Sequence, residues 1–540
     1  MAAAIDTPTP PASKGDPAAG QHSEPQWRPK FNPWLIALTV TLASFMEVLD
    51  TSIANVALPH IAGSLSASED ESTWVLTSYL VSNAIILPLS GWFSFLIGRK
   101  NFYMVCVLVF TLSSLACGLA PTLGILVFCR IIQGIGGGGL QPSEQAILAD
   151  TFLPRQRGMA FAIYGIAVVT APAIGPTLGG WITDNFDWRW IFFINIPVGL
   201  VSMFLTSFMV QDPPYFVEER KQRRKRGLRV DYWGIIFIAI GLGFLQIILD
   251  KGERDDWWAS DFIRLCTVLA LAGLILAVYW ELTNKDPVVD LSLLKDRNFA
   301  VSAFLMFMVG VVLLGSTVLI PQYLQLVMGY SATMAGLAIS PGGLLVMVML
   351  PFVGLALGRI EARWIIAVGL TITSLALYYM TTFNTQMNFA HAVQARCFQA
   401  AGLACLFVPI NTVAYAFVPR NKNNAASGLI NLARNIGGSV GISLVTTMLA
   451  RRAQFHQSRL AESTSALNPA FVHALDSTRR AIGPANPDTS YALLARQLQQ
   501  QANTLSYIDC FYALALVFGM LVPLVFLMKK IKPGRAAAAH

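Results

Sequence analysis

Apolar residues recur along the chain in long runs, interrupted by short stretches that are charged or marked by Pro and Gly. Fourteen runs stand out, at about 34–54, 73–93, 102–120, 123–147, 158–182, 190–211, 231–250, 261–283, 299–320, 332–357, 364–383, 391–418, 427–450 and 507–528. Each is roughly 20 residues or more, long enough for a helix to cross ~30 Å of hydrocarbon. None alternates polar and apolar positions as a barrel strand would. The pattern predicts an all-α polytopic membrane protein with 14 transmembrane helices.

Composition narrows the class further. Of 540 residues, 55% are hydrophobic and only 13% are charged, about half the roughly 25% of a soluble domain. A soluble multidomain enzyme and a disordered or fibrous protein are excluded. The net charge of +8 matters less than where the charges fall. With the N-terminus in the cytoplasm, 25 of the 38 Lys and Arg lie on that side. Four others occupy short loops opposite, six lie in 451–506, and Arg130, Arg396 and Arg434 fall within or at the start of spans. Both termini are therefore expected in the cytoplasm. Ten of the twelve Trp fall at span ends, where amphipathic rings favour the headgroup layer. The seven Cys are all in apolar segments without CxxC spacing, which suits packing rather than disulfides or a metal.

An internal repeat organises the spans. Arg130-Ile-Ile-Gln133 is echoed by Arg396-Cys-Phe-Gln399 at an offset of 266, and Phe152-Leu-Pro154-Arg155 by Phe417-Val-Pro419-Arg420 at 265. Two six-helix halves then flank an inserted pair, a plan known among transporters. The expected organisation is a disordered cytoplasmic tail (1–33), an N-terminal bundle (34–211), a basic cytoplasmic linker (212–230) and inserted helices seven and eight (231–283). A C-terminal bundle (284–528) follows, containing a long periplasmic loop (451–506), and then a cytoplasmic tail (529–540). The linker reads as a solvated topology determinant, not a nucleic-acid site.

Two carboxylates, Glu47 and Asp50, lie inside the first span. An acid at bilayer depth costs at least ~2.5–3.5 kcal/mol and usually faces protein or a watery cavity. Their i, i+3 spacing places both on one helix face, where either could exchange a proton. Arg130 is the natural partner, on a stripe with Gln133, Gly134 and Gly137. It stays charged when buried, so it could hold a carboxylate ionised until a proton or substrate competes. A fixed structural ion pair would use the same residues. Arg396 and Gln399 are their repeat mates, whereas Arg434, at the start of its span, reads as a surface anchor. The glycines at 134–139 lack the Lys-Ser/Thr of a phosphate loop and suit close helix approach. In span five, Pro172, Gly175, Pro176, Gly179 and Gly180 combine helix breakers with small residues. That mixture fits a moving hinge or static packing. No GxSxG, HExxH or paired-His spacing appears, so neither an enzyme nor a metal site is expected.

At these positions the sequence resembles the major facilitator superfamily, in particular its 14-helix drug:proton antiporters of the EmrB/QacA type. Leu49-Asp50-Thr51, Asn55 and Pro59 match the family's first-helix motif, Arg130-x-x-Gln133-Gly134 its fourth-helix motif, and Gly175-Pro176-x-x-Gly179-Gly180 its antiporter motif. Trp188-Arg189-Trp190 through Asn195-Ile-Pro197 and Leu245 through Asp250-Lys-Gly252 are further EmrB-like stretches. One departure stands out: Phe95 and Leu96 replace the Asp-Arg pair of the family's loop after helix two, while Gly91, Gly98, Arg99 and Lys100 are kept. A latch built on that Asp is not expected here. The resemblance implies that Asp50 and Arg130 belong to the proton-coupling region of a central cavity; Glu47 is a further candidate for proton coupling, and Asn55, Gln133, Arg396 and Gln399 are candidates to line the cavity. It also implies a place in the bacterial inner membrane, surrounded by lipid, and work with a periplasmic adaptor protein and an outer-membrane channel, for which 451–506 could be a docking surface. No cofactor is expected beyond the proton gradient. The expected function is proton-driven export of hydrophobic or amphipathic drugs. Proton-coupled nutrient uptake on the same fold and a lipid-modifying membrane enzyme are the alternatives.

Overall fold

The structure, a computed structural model, describes residues 29–530 apart from 154–155, 226–229, 285–286, 420–421, 465–467 and 483–486. Most of both predicted tails, 1–28 and 531–540, lies outside the described residues. Fourteen long helices follow one another: α1 (Pro33–Ser64), α2 (Trp74–Ile97), α3 (Arg99–Gly118), α4 (Leu123–Thr151), α5 (Arg157–Asn185), α6 (Trp190–Met209), α7 (Tyr232–Lys251), α8 (Asp261–Thr283), α9 (Arg297–Gln322), α10 (Ala332–Ala356), α11 (Ala362–Met380), α12 (Phe389–Ala414), α13 (Asn423–Glu462) and α14 (Pro487–Val525). Several begin where a loop supplies a cap. Asn32 accepts from Trp34 N with Pro33 in the first turn, Asp231 from Gly234 N, and Asn388 from His391 N. Each satisfies an amide that the helix itself leaves open.

Among the described residues, twelve helices are individually long and apolar enough to span a membrane. The two halves of α5, bent by 44°, make a thirteenth if they count as one span. The fourteenth predicted span lies in α13, a 40-residue helix too polar along its length to meet that measure.

One expectation changes. The stretch 451–506 is largely helical, not a loop: α13 continues to Glu462, a short helix covers Pro469–Ile482, and α14 starts at Pro487. Its Ala, Gln, Leu and Arg residues are good helix formers, so the helices outlast the apolar layer. The linker likewise contains a helix over Pro214–Lys225, while 226–229 lie outside the described residues.

The repeat is visible in the packing. α1 packs on α5, α2 and α3 on α4, and α3 on α6; α9 packs on α13, α10 and α11 on α12, and α11 on α14. These are the same pairings eight helices apart. The halves meet through α5 against α10 and α2 against α13. There a Cβ on Gly91 would come within 3.1 Å of the Ala425 backbone, and one on Gly158 within 3.1 Å of Gly354 O. The hairpin α7–α8 stands outside this frame, with α7 against α2 and α13.

Candidate functional site

The polar residues of the apolar helices converge inside the N-terminal half. Asp50 on α1 is 2% exposed. It accepts from Arg130 Nη1 at 2.5 Å, Gln133 Nε2 at 3.0 Å and Asn195 Nδ2 at 2.7 Å. Arg130 also donates through Nε to Val75 O at 3.0 Å and through Nη1 to Gln133 Oε1 at 2.8 Å. Its guanidinium lies 4.3 Å from the Tyr79 ring centroid and 5.6 Å from that of Phe192. A buried charge pair survives only if its remaining hydrogen-bonding capacity is largely met, and four helices supply the means here. The glycines of α4 make the approach possible. A Cβ on Gly134 would sit 2.5 Å from Tyr79 O, and one on Gly136 2.7 Å from Phe110 N, so α2 and α3 both press on α4 as the small-residue pattern predicts.

Glu47, one turn away on α1, does not share Arg130. Its carboxylate accepts from Gln141 Nε2 at 2.5 Å, and from Tyr79 Oη and Asn83 Nδ2 at 3.2 Å each. Tyr79 thus serves both acids, its ring under Arg130 and its hydroxyl on Glu47. Gln141 Oε1 in turn accepts from Tyr164 Oη at 2.9 Å and from Arg434 Nη2. Arg434, read from the sequence as a surface anchor, is instead half-buried where the two halves meet: it also donates to Tyr164 Oη at 3.1 Å. The C-terminal half therefore reaches the neighbourhood of Glu47 through one arginine. α13 begins at Asn423, about three turns before Arg434, and packs along α2 and α9, which carries Arg434 away from the helix end and onto the other half.

Further polar contacts join the halves. Gln145 Oε1 accepts from Tyr415 Oη at 3.0 Å, and from Ser427 Oγ and Asn431 Nδ2 at 2.9 Å each. Asn435 Nδ2 donates to Asn83 Oδ1 at 3.1 Å. At the same end Arg99 pairs with Asp150, which also accepts from Asn423 Nδ2 at 2.9 Å. The loop that lacks its Asp-Arg pair is thus held by Arg99 to an acid of α4, and Phe95 packs on Phe216 at 5.0 Å between centroids.

The remaining predicted residues divide. Arg396 Nη1 donates to Gln399 Oε1 at 2.7 Å, reproducing the Arg130–Gln133 bond. Asn55 is exposed and stays apart from the Asp50 cluster. In α5, Gly175 faces Ser52 and Gly179 faces Ile53, letting α5 close on α1, whereas a Cβ on Gly180 would meet nothing within 4 Å. Pro172 O accepts from Ser52 Oγ at 3.4 Å, and the α5 bend is attributable to Pro172 and Pro176. The sequence reading missed Glu144, a fully buried acid taking a 2.5 Å bond from Thr41. Its position in an apolar helix was the available signal. Asn195, Tyr79, Gln141 and Tyr164 carried none, because their partners are far away in sequence.

Residues 40–442 match the model of the Major Facilitator Superfamily. The chain is 36% identical to the multidrug export protein EmrB of Escherichia coli K12, over 93% of this chain and 97% of that one. It is 37% identical to EmrB of Haemophilus influenzae, over 91% and 95%. The solved proton:xylose symporter XylE superposes with a TM-score of 0.60 at 15% identity, covering 93% of this chain and 97% of that one, which speaks to the fold alone. The fold, the repeated Arg-x-x-Gln geometry and these likenesses together place the chain in the major facilitator superfamily, among the EmrB-type multidrug efflux transporters.

Proposed function

We propose that the protein is a proton-driven antiporter that exports hydrophobic or amphipathic drugs across the bacterial inner membrane by alternating access, with both termini in the cytoplasm. The observation that carries this reading is the Asp50 carboxylate, held deep in the bundle by Arg130, Gln133 and Asn195. A proton reaching Asp50 removes the charge that fixes Arg130. The guanidinium keeps Gln133 and Val75 O as partners while its hold on Asp50 is loosened, and cargo and proton then compete for the cavity. Glu47 extends the response to the other half through Gln141 and Arg434. The bent α5 supplies the line about which the halves rock, and no cofactor takes part. One proton moving down ~100 mV and one pH unit releases about 3.7 kcal/mol, enough to concentrate a neutral cargo several hundred-fold. The EmrB likeness supports a further assignment, to a periplasmic adaptor protein and an outer-membrane channel, with the projecting helices of 451–506 as the docking surface.

Everted vesicles carrying Asp50→Asn test the coupling. The variant is expected to insert normally and to lose pH-gradient-dependent drug uptake; wild-type uptake by Asp50→Asn would sink the scheme. Cellular drug accumulation, rising on adding a protonophore to expressing cells, checks the direction.

A further inference from the structure

The internal repeat contains one unequal position. Arg130 and Gln133 recur 266 residues later as Arg396 and Gln399, and the same offset carries Asp50 to Ser316 and Glu47 to Leu313. The correspondence holds in three dimensions. Arg396 Nη1 donates to Gln399 Oε1 at 2.7 Å and lies 3.4 Å from Ser316 Oγ, just as Arg130 Nη1 meets Gln133 Oε1 and Asp50. In the N-terminal half the arginine and the glutamine amide clasp a carboxylate. In the C-terminal half the arginine meets a serine, and the glutamine amide nitrogen has no partner among the described residues. Among the described residues no carboxylate lies within ion-pair distance of Arg396, although it is only 6% exposed and Gln399 is fully buried. Arg396 Nε and Gln399 Nε2 are buried and have no acceptor. Both are donors with no accepting capacity to offer, and an unmet buried donor costs ~1–3 kcal/mol. Gly342 faces the arginine stem, where a Cβ would come 2.9 Å from its Cγ, so α10 leaves the side chain room.

We infer that Arg396 and Gln399 form a receptor for the anionic headgroup of an amphipathic cargo, a carboxylate or its close equivalent, which takes the place that Asp50 fills in the other half. Cargo then brings the acid that the sequence omits at Ser316. A cationic amphiphile finds no carboxylate within ion-pair distance of Arg396 among the described residues and is bound less well. Calling the ligand a cargo rests on the export reading; the binding itself does not.

The test is equilibrium binding to purified full-length protein in nanodiscs, with no gradient, corrected for partition into empty discs. The probes are dodecanoate at alkaline pH, its neutral amide, and dodecyltrimethylammonium. Wild type is expected to bind dodecanoate about tenfold more tightly than either competitor, a factor worth ~1.4 kcal/mol. Arg396→Gln and Ser316→Asp should each abolish that preference, the second because it supplies an internal carboxylate to an intact arginine. Arg396→Lys should retain part of the preference. Equal binding of the three probes by wild type, or a preference that survives both Arg396→Gln and Ser316→Asp, overturns the inference. Because no proton gradient is present, neither result bears on whether Asp50 couples transport.

Discussion

Single side chains decide the chemistry of the N-terminal half. Arg130 fills three demands at once: an ion pair with Asp50, a backbone acceptor at Val75 and a face against Tyr79. A lysine keeps the charge but offers neither the planar fork nor the stacking surface. Arg130→Lys is therefore expected to insert and remain monodisperse while gradient-driven transport falls at least about tenfold, a barrier change of ~1.4 kcal/mol, as read by initial rates in vesicles. Tyr79→Phe keeps the ring under Arg130 and removes the hydroxyl that donates to Glu47 and accepts from Asn83. It should lower stability by about 1 kcal/mol, measured by thermal unfolding in detergent, without the transport loss of Arg130→Lys. Charged residues such as Asp50 and Arg130 were legible in the sequence because a charge in an apolar run is conspicuous. Asn195 and Gln141 were not, since uncharged amides occur throughout such helices and only the fold brings these two to an acid. Arg434 misled because its neighbours in sequence suggest a surface, while its neighbours in space are Gln141 and Tyr164.

At the scale of helices, small residues set how closely neighbours lie. α9 and α13 touch backbone to backbone: a Cβ on Gly437 would fall 2.0 Å from Phe307 O, and one on Gly441 2.3 Å from Val311 O. Gly441→Val is expected to destabilise the fold by about 1–3 kcal/mol, seen as a lower Tm in detergent. Gly180→Ala offers the contrast. With nothing near its Cβ and a better helix former in place, stability should hold or rise by up to about 1 kcal/mol. If transport nevertheless falls in Gly180→Ala, the loss belongs to bending of α5 and not to packing, since the new methyl touches nothing. The apolar runs announced the number of long helices because lipid imposes one length on all of them. They were silent on where α1 and α13 stop and where α14 starts, because outside hydrocarbon a helix ends by its caps and propensities rather than by hydropathy. The segment 451–506 was misread for that reason.

For the whole molecule, the polar contacts gathered at Gln145, Asn431 and Arg434 hold the two halves together at the end marked by the Arg99–Asp150 pair. Removing them should shift the balance between the two access states. Gln145→Ala combined with Asn431→Ala breaks at least three buried bonds, each worth ~1 kcal/mol. Spin labels at positions 100 and 422, one in each half, should then report a longer and broader distance distribution than in the parent. An unchanged distribution would mean that these bonds do not govern the closure. The repeat itself was readable from two short matches at nearly one offset. The pairing of helices across the halves was not, because nothing local distinguishes a face that meets lipid from one that meets the other bundle. One further property follows from α13, a 40-residue rod about 60 Å long with no proline inside it. Its inner part carries Asn431 and Arg434, and its outer part is fastened to α14 where Arg452 and His456 grip Asp509 at 2.5 and 2.8 Å. Such a rod behaves as a pointer: a tilt of a few degrees at its inner end sweeps the projecting tip through several ångströms, so a small rearrangement beside Asn431 and Arg434 is magnified at the far end.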